Sequence, residues 1–266
     1  MIDLHCHILP SIDDGPASLD ISLEMARVAS ADGIEWIACT PHIYPGLYDN
    51  SADVIRSSVQ NFERELGIAN IPLKLSYASD TYVMPDLLKR LKSGTVPTFS
   101  GGRYFLLEFP HHAELPNLEQ FVFSLLANAY VPIITHPERL HWIGQNYSMF
   151  QRLAKSGAWM QITAGSLTGR FGRQAKYWSE RMLQEGLVHI LATDAHNLQS
   201  RPPLLYEGFE AAEHLLGREE ASRLVNQRPQ AVLQNLSPEL VDPIPGLMLS
   251  PKKSFFDIMS YKFNWR

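Results

Sequence analysis

Seven short apolar runs, each followed by a stretch of helical spacing, constrain this chain of 266 residues more than any other feature. The runs cover residues 2–4, 34–40, 73–79, 104–109, 131–135, 159–163 and 188–193. After the first, Leu19, Leu23 and Ala26 recur at the three- and four-residue spacing of a helix face. Similar patterns occupy 52–66, 85–92, 118–129, 147–156, 174–185 and 204–216. Strand–helix alternation predicts a parallel sheet, because each crossover returns the chain to the same end. A closed seven-stranded (β/α) barrel and an open doubly wound sheet both satisfy it. The pattern stops near Asn235, beyond which Pro238, Pro243, Pro245 and Pro251 interrupt it. A main domain over 1–235 and an extension over 236–266 are therefore expected.

The residues that follow the runs are unusual. The first run ends in His5 and His7, which project to one face of an extended chain, and its loop carries Asp13 and Asp14. The second leads to His42, the third to Asp80, the fourth to Glu108, the fifth to His136 and the seventh to Asp194 and His196. In a parallel barrel all of these lie at the C-terminal rim, where sites are assembled from strand ends. Any one of them has an ordinary explanation, such as a capping aspartate or a loop histidine. Six of seven strands delivering such a residue to the same end is not explained that way. Imidazoles and carboxylates without a thiolate suit manganese, iron or zinc better than copper(I) or an iron–sulfur cluster.

Composition narrows the remaining classes. The formal charge of −5 gives no support for a nucleic-acid partner. Three bound divalent ions would bring it to roughly +1, so an anionic substrate is not excluded. Two cysteines, Cys6 and Cys39, argue against a disulfide scaffold. No basic segment leads into an apolar core at the N-terminus, so no signal peptide is expected. The apolar stretch 121–134 is broken by Asn128 and Pro132 and is too short to span a bilayer. These features predict a cytoplasmic protein without a transmembrane segment. A cysteine-dependent phosphatase needs Cys-x5-Arg, and that register reaches Ile12 from Cys6 and Pro45 from Cys39.

The motifs His5-Cys6-His7, Asp13-Asp14-Gly15-Pro16, Thr40-Pro41-His42, Glu108, His136-Pro137-Glu138-Arg139 and Thr193-Asp194-Ala195-His196-Asn197 resemble the PHP (polymerase and histidinol phosphatase) superfamily. Within it, they are most similar to bacterial metal-dependent protein-tyrosine phosphatases of capsule and exopolysaccharide operons. The resemblance runs from Met1 to about Asn235 and implies a distorted (β/α)7 barrel. It also implies up to three ions, usually Mn²⁺, with Fe or Zn as alternatives. By position, His5, His7 and Asp194 would hold one ion, and Glu108 and His136 a second. Asp80 would bridge these two, and Asp14, His42 and His196 would hold the third. This chain departs from the pattern twice: Asp80 stands where the family has Glu, and Ser11 where it has Gly.

Both readings converge on phosphomonoester hydrolysis, in which a hydroxide held between ions attacks phosphorus in line. Arg139 and Arg201 follow ligand-bearing strand ends and suit recognition of the phosphoryl oxygens. Asp194 or His196 would assist proton transfer to the leaving group. His111, His112 and His141 are candidate substrate contacts, and Tyr44, Tyr48, Tyr82, Phe109, Trp142 and Phe171 are candidate cleft aromatics. His189 and His214 do not read as ligands. The implied partner is a phosphotyrosine protein, the tail of a membrane tyrosine kinase in polysaccharide export, and assembly into a homo-oligomer is compatible with it. The alternatives are a small-molecule phosphatase such as histidinol phosphatase and an inactive metal-binding regulator, with a nuclease weaker for want of a basic groove. The basic, aromatic tail over 250–266 is expected to pack back on the barrel, with docking to a partner or anionic membrane as the alternative.

Overall fold

The computed structural model describes residues 1–248. Its strands are β1 (Ile2–Cys6), β2 (Trp36–Cys39), β3 (His42–Ile43), β4 (Lys74–Tyr77), β5 (Asp80–Tyr82), β6 (Tyr104–Glu108), β7 (Val131–Thr135), β8 (Trp159–Thr163) and β9 (Ile190–Ala192). They pair in the orders β1-β2-β4 and β3-β5-β6-β7-β8-β9, parallel throughout.

Two expected strands stop short and resume as a second short strand beyond the predicted run. Residues 34–40 hold β2, with β3 following from His42, and residues 73–79 hold β4, with β5 following from Asp80. Pro41 has no N–H to continue the ladder, so pairing lapses at Thr40-Pro41. The neighbouring strand copies the interruption, because the register passes from Cys39–Tyr77 to His42–Asp80. His42 and Asp80 thus open short upper strands instead of trailing from finished ones.

Backbone pairing joins the first strand to the last. Asp194 donates its N–H to His5 O at 2.8 Å, and His7 donates to Ala195 O at 2.9 Å. Just below, the buried Asp3 carboxylate accepts from Thr193 N at 3.0 Å, Thr193 Oγ1 at 2.5 Å and His5 N at 3.3 Å. With each broken strand counted once, the result is the expected seven-stranded (β/α) barrel.

The helices are α1 (Leu19–Ala31), α2 (Ala52–Ile68), α3 (Leu87–Ser93), α4 (Leu118–Ala127), α5 (Ile143–Lys155), α6 (Ala164–Leu167), α7 (Gly172–Gln184) and α8 (Tyr206–Leu216), with further helical turns over Arg218–Leu233. Ser18 and Ser51 cap α1 and α2 by accepting the N–H of Ile21 and Val54. Strand residues alternate between two apolar layers. Leu4, Tyr104, Leu106, Ile133, Trp159 and Ile190 pack inside the ring, while Phe105, Leu107, Ile134, Met160 and Leu191 pack against the helices. Cys6 and Cys39 are buried free thiols in the outer layer.

Residues 236–248 lie back on the barrel: Tyr104 Oη donates to Leu236 O at 2.9 Å, Gly246 N to Gly186 O at 3.0 Å, and Ile244 is buried. The expectation for the tail over 250–266 lies outside the described residues. No helix among the described residues is long and apolar enough to cross a membrane. Asp3→Ala should lower the unfolding free energy by about 1–3 kcal/mol in urea titration, because buried donors of Thr193 and His5 lose their acceptor.

Candidate metal centre

All nine expected ligands converge at the C-terminal rim. His5 Nε2, His7 Nε2 and Asp194 Oδ1 form a compact triangle, with separations of 3.2 Å, 3.2 Å and 3.5 Å. Asp14 Oδ1 lies 3.4 Å from His42 Nε2 and 3.3 Å from His196 Nε2. Glu108 Oε1 lies 3.8 Å from His136 Nε2. Asp80 Oδ2 stands 3.5 Å from His5 Nε2 and 3.4 Å from His42 Nδ1. Ligands of one ion, each about 2.0–2.2 Å from it, lie within about 4.4 Å of one another. The donor set therefore fits metal ions.

Orphaned polar atoms support that fit. Asp80 is fully buried, yet neither carboxylate oxygen has a hydrogen-bond partner, and His196 Nε2 has none either. A buried, unpaired carboxylate is costly unless a cation compensates it. Burial opposes ionisation of Asp80, but His5 and His42 outweigh it and hold its carboxyl below the usual range.

The surrounding residues fix ligand orientation. His7 Nδ1 pairs with Asp13 Oδ2 at 2.7 Å, and the same carboxylate accepts from His42 N and Gly15 N. A Cβ at Gly15 would stand 2.5 Å from His7 O, so only glycine permits this loop. His5 Nδ1 pairs with Gln161 Oε1 at 2.8 Å. His196 Nδ1 donates to Asp194 O at 3.0 Å, which turns Nε2 toward Asp14. Ser11 takes φ +58°, and its Oγ donates to Ala17 O, so this loop keeps the left-handed turn that glycine would adopt more easily. His136 and Asp194, at φ +35° and +51°, are also held in this strained region, as residues at functional sites often are.

Electrostatics sort the histidines. Burial drives His7 well below the usual imidazole range, reinforced by His196, His42 and His5. Burial and then Arg139 do the same to His136. Both are therefore neutral and ready to ligate. Burial opposes charge on His5, but Asp194 and Asp80 lift its pKa to about 9, so a metal ion bound there would have to displace a proton. Asp194 stays ionised despite burial, because Arg201, His5 and Arg139 hold its carboxyl well below the usual range.

Arg139 and Arg201 both donate to Asp194 Oδ2, the latter at 2.6 Å. Arg139 also lies over the Phe171 ring, 4.3 Å from its centroid. A cavity of about 240 Å³ adjoins Arg139, lined also by His111, Glu138, His141, Phe171 and Gln174.

Among the expected cleft aromatics, Tyr44 and Tyr82 stack on each other and Tyr48 on His42. Phe109 and Trp142 pack in the core beside Phe150 instead, since strand β6 turns Phe109 outward toward the helices. His112 and His141 pair at the rim, whereas His111 stands beside Glu108 and His136. His189, away from the rim, stacks on Trp159 and accepts from Met160 N. Asp13 stood in the sequence beside Asp14, whereas Asp3 and Gln161 carried no signal of their own.

Residues 1–234 match the family model for capsular polysaccharide synthesis proteins, CpsB/CapC. The chain is 34% identical over 235 residues to the tyrosine-protein phosphatase YwqE of Bacillus subtilis, covering 88% of this chain and 92% of that one. It is 32% identical to the putative tyrosine-protein phosphatase CapC of Staphylococcus aureus, over 79% of this chain and 82% of that one. Crystal structures of YwqE and of CpsB from Streptococcus pneumoniae are described as unique metal-dependent tyrosine phosphatases. The matched chain superposes with a TM-score of 0.85 at 34% identity, covering 89% of this chain and 96% of that one. A phosphotriesterase from Mycobacterium tuberculosis shares the fold at a TM-score of 0.51 and 11% identity, over 88% of this chain and 94% of that one.

Because Asp13 orients His7 from behind, Asp13→Ala should weaken divalent-metal affinity about 10- to 100-fold in a chelator-competition titration.

Proposed function

The chain belongs to the capsular polysaccharide synthesis family CpsB/CapC, and from that premise we propose that it is a metal-dependent phosphatase acting on phosphotyrosine in proteins. The observation that carries this reading is the placement of two arginines, Arg139 and Arg201, on the outer oxygen of Asp194, whose inner oxygen faces His5 and His7. A phosphate dianion arriving there meets cationic donors on one side and the ligand cluster on the other.

His5, His7 and Asp194 would hold one ion, Glu108 and His136 a second, and Asp14, His42 and His196 a third, with Asp80 among them. Mn²⁺ fits this donor set, with Fe or Zn as alternatives, and up to three ions per chain. Bound ions would supply an activated water and neutralise charge on the phosphoryl oxygens. Arg139 and Arg201 would leave Asp194 for the equatorial oxygens as the transition state forms. Asp194 and His196 are the side chains nearest to serve proton transfer. A phenolate leaves readily, so Asp194, held ionised, need donate no proton. The phenyl ring would enter the cavity beside Phe171 and His141. Catalysis is assigned to residues 1–235, with 236–266 as an extension. The fitting protein substrate is the tail of a membrane tyrosine kinase that controls polysaccharide export.

The test is turnover of a phosphotyrosine peptide, a phosphoserine peptide, histidinol phosphate and single-stranded DNA with added Mn²⁺. The phosphotyrosine peptide should be hydrolysed fastest, chelator should abolish turnover, and Arg201→Ala should lower kcat/KM about 10²- to 10³-fold. Preference for histidinol phosphate, or activity that survives chelation, would contradict the reading.

A further inference from the structure

Asp80 poses a geometric problem. It stands where the resembling family carries Glu and is shorter by one C–C bond, about 1.5 Å. Its carboxylate groups with His5 and His7 on one side, and with His42 and Glu108 on the other. It joins no group that contains His136. Asp194 groups with His136 and His5 but not with Glu108, so Glu108 and His136 together lack the shared bridging oxygen that a longer side chain at 80 would supply, and two protein ligands hold an ion poorly.

The third member of that group is a histidine from the loop after β6. Glu108, His111 and His136 offer ligand atoms that all lie within 4.8 Å of one another. His111 Nε2 is 3.5 Å from Glu108 Oε1, closer than His136 Nε2 at 3.8 Å. The imidazole centroids of His111 and His136 are 5.1 Å apart. The loop is anchored where it must be: His141 N donates to His111 O at 3.0 Å, and Trp142 Nε1 donates to Pro110 O at 2.8 Å. The side chain is partly exposed at the wall of the cavity beside Arg139.

We propose that His111 is a metal ligand in this chain, completing a Glu108–His111–His136 site in place of the carboxylate bridge that Asp80 is too short to make. The proposal rests on the reading of the rim as a polynuclear metal centre. It predicts a second ion held by two imidazoles and one carboxylate, at the side of the centre that opens to the substrate cavity. It also makes residues 80 and 111 interdependent: a Glu at 80 would render His111 dispensable.

The experiment measures bound Mn²⁺ per chain by elemental analysis after gel filtration, and its affinity by calorimetry, with no substrate present. Wild type, His111→Ala, Asp80→Glu/His111→Ala and the neighbouring control His112→Ala are compared, and circular dichroism verifies that each is folded. The expected result is loss of about one tightly bound ion from His111→Ala, its recovery in the double variant, and no loss from His112→Ala. Wild-type occupancy and affinity in His111→Ala would overturn the proposal. So would a loss that Asp80→Glu does not restore. A wild-type chain that takes up no Mn²⁺ would overturn the metal centre itself, whereas an ion-binding chain inert toward phosphotyrosine would leave this inference standing and remove only the substrate assignment.

Discussion

Asp194 donates its backbone N–H to His5 O, and His7 donates its own to Ala195 O, so the seam between β1 and β9 sets the geometry of the whole rim. The pairing brings His5 and His7 into register with Asp194 and His196, residues nearly the full domain apart in sequence. Asp3 reinforces the seam from below through Thr193. Neither end of the chain could form its part of the centre alone. The cost of closing so long a loop is offset by the apolar layers on both sides of the ring.

The second constraint is charge. Asp14, Asp80, Glu108 and Asp194 crowd one small volume, and Asp80 and Asp194 are buried there. Such a cluster is tolerable only if cations share it. Arg139 and Arg201 supply part of that compensation at Asp194, and divalent ions would supply the rest. The same arginines then have two possible anionic partners, Asp194 and a phosphoryl group. Under the proposed phosphatase reading, their exchange between the two would couple substrate arrival to the ligands of the centre.

Much of this was legible in the chain itself. Alternating apolar runs and helical spacing give a parallel sheet, the PHP resemblance implies the barrel over an open sheet, and the polar residues after six of the seven runs give the rim, because strand periodicity and ligand position obey the same geometry. The breaks at Thr40-Pro41 and Ser79 were less legible, since one depends on proline and the other on its neighbour's register. Phe109 and Trp142 looked like cleft aromatics but face the core, an outcome decided by tertiary packing on Phe150. His111 sat among loop histidines with nothing local to distinguish it from His112. Its position is set by hydrogen bonds from His141 and Trp142, about thirty residues downstream, which no local pattern reveals.

The central claim is that these strand ends form a metal centre facing a phosphate-binding arginine pair. Anomalous diffraction at the manganese edge, from crystals grown with Mn²⁺ and inorganic phosphate, tests it most directly. The account predicts anomalous peaks among His5, His7, Asp14, His42, Asp80, Glu108, His136, Asp194 and His196, with phosphate density bridging those peaks to Arg139 and Arg201. Peaks confined to surface carboxylates, or phosphate bound away from the arginines, would contradict it.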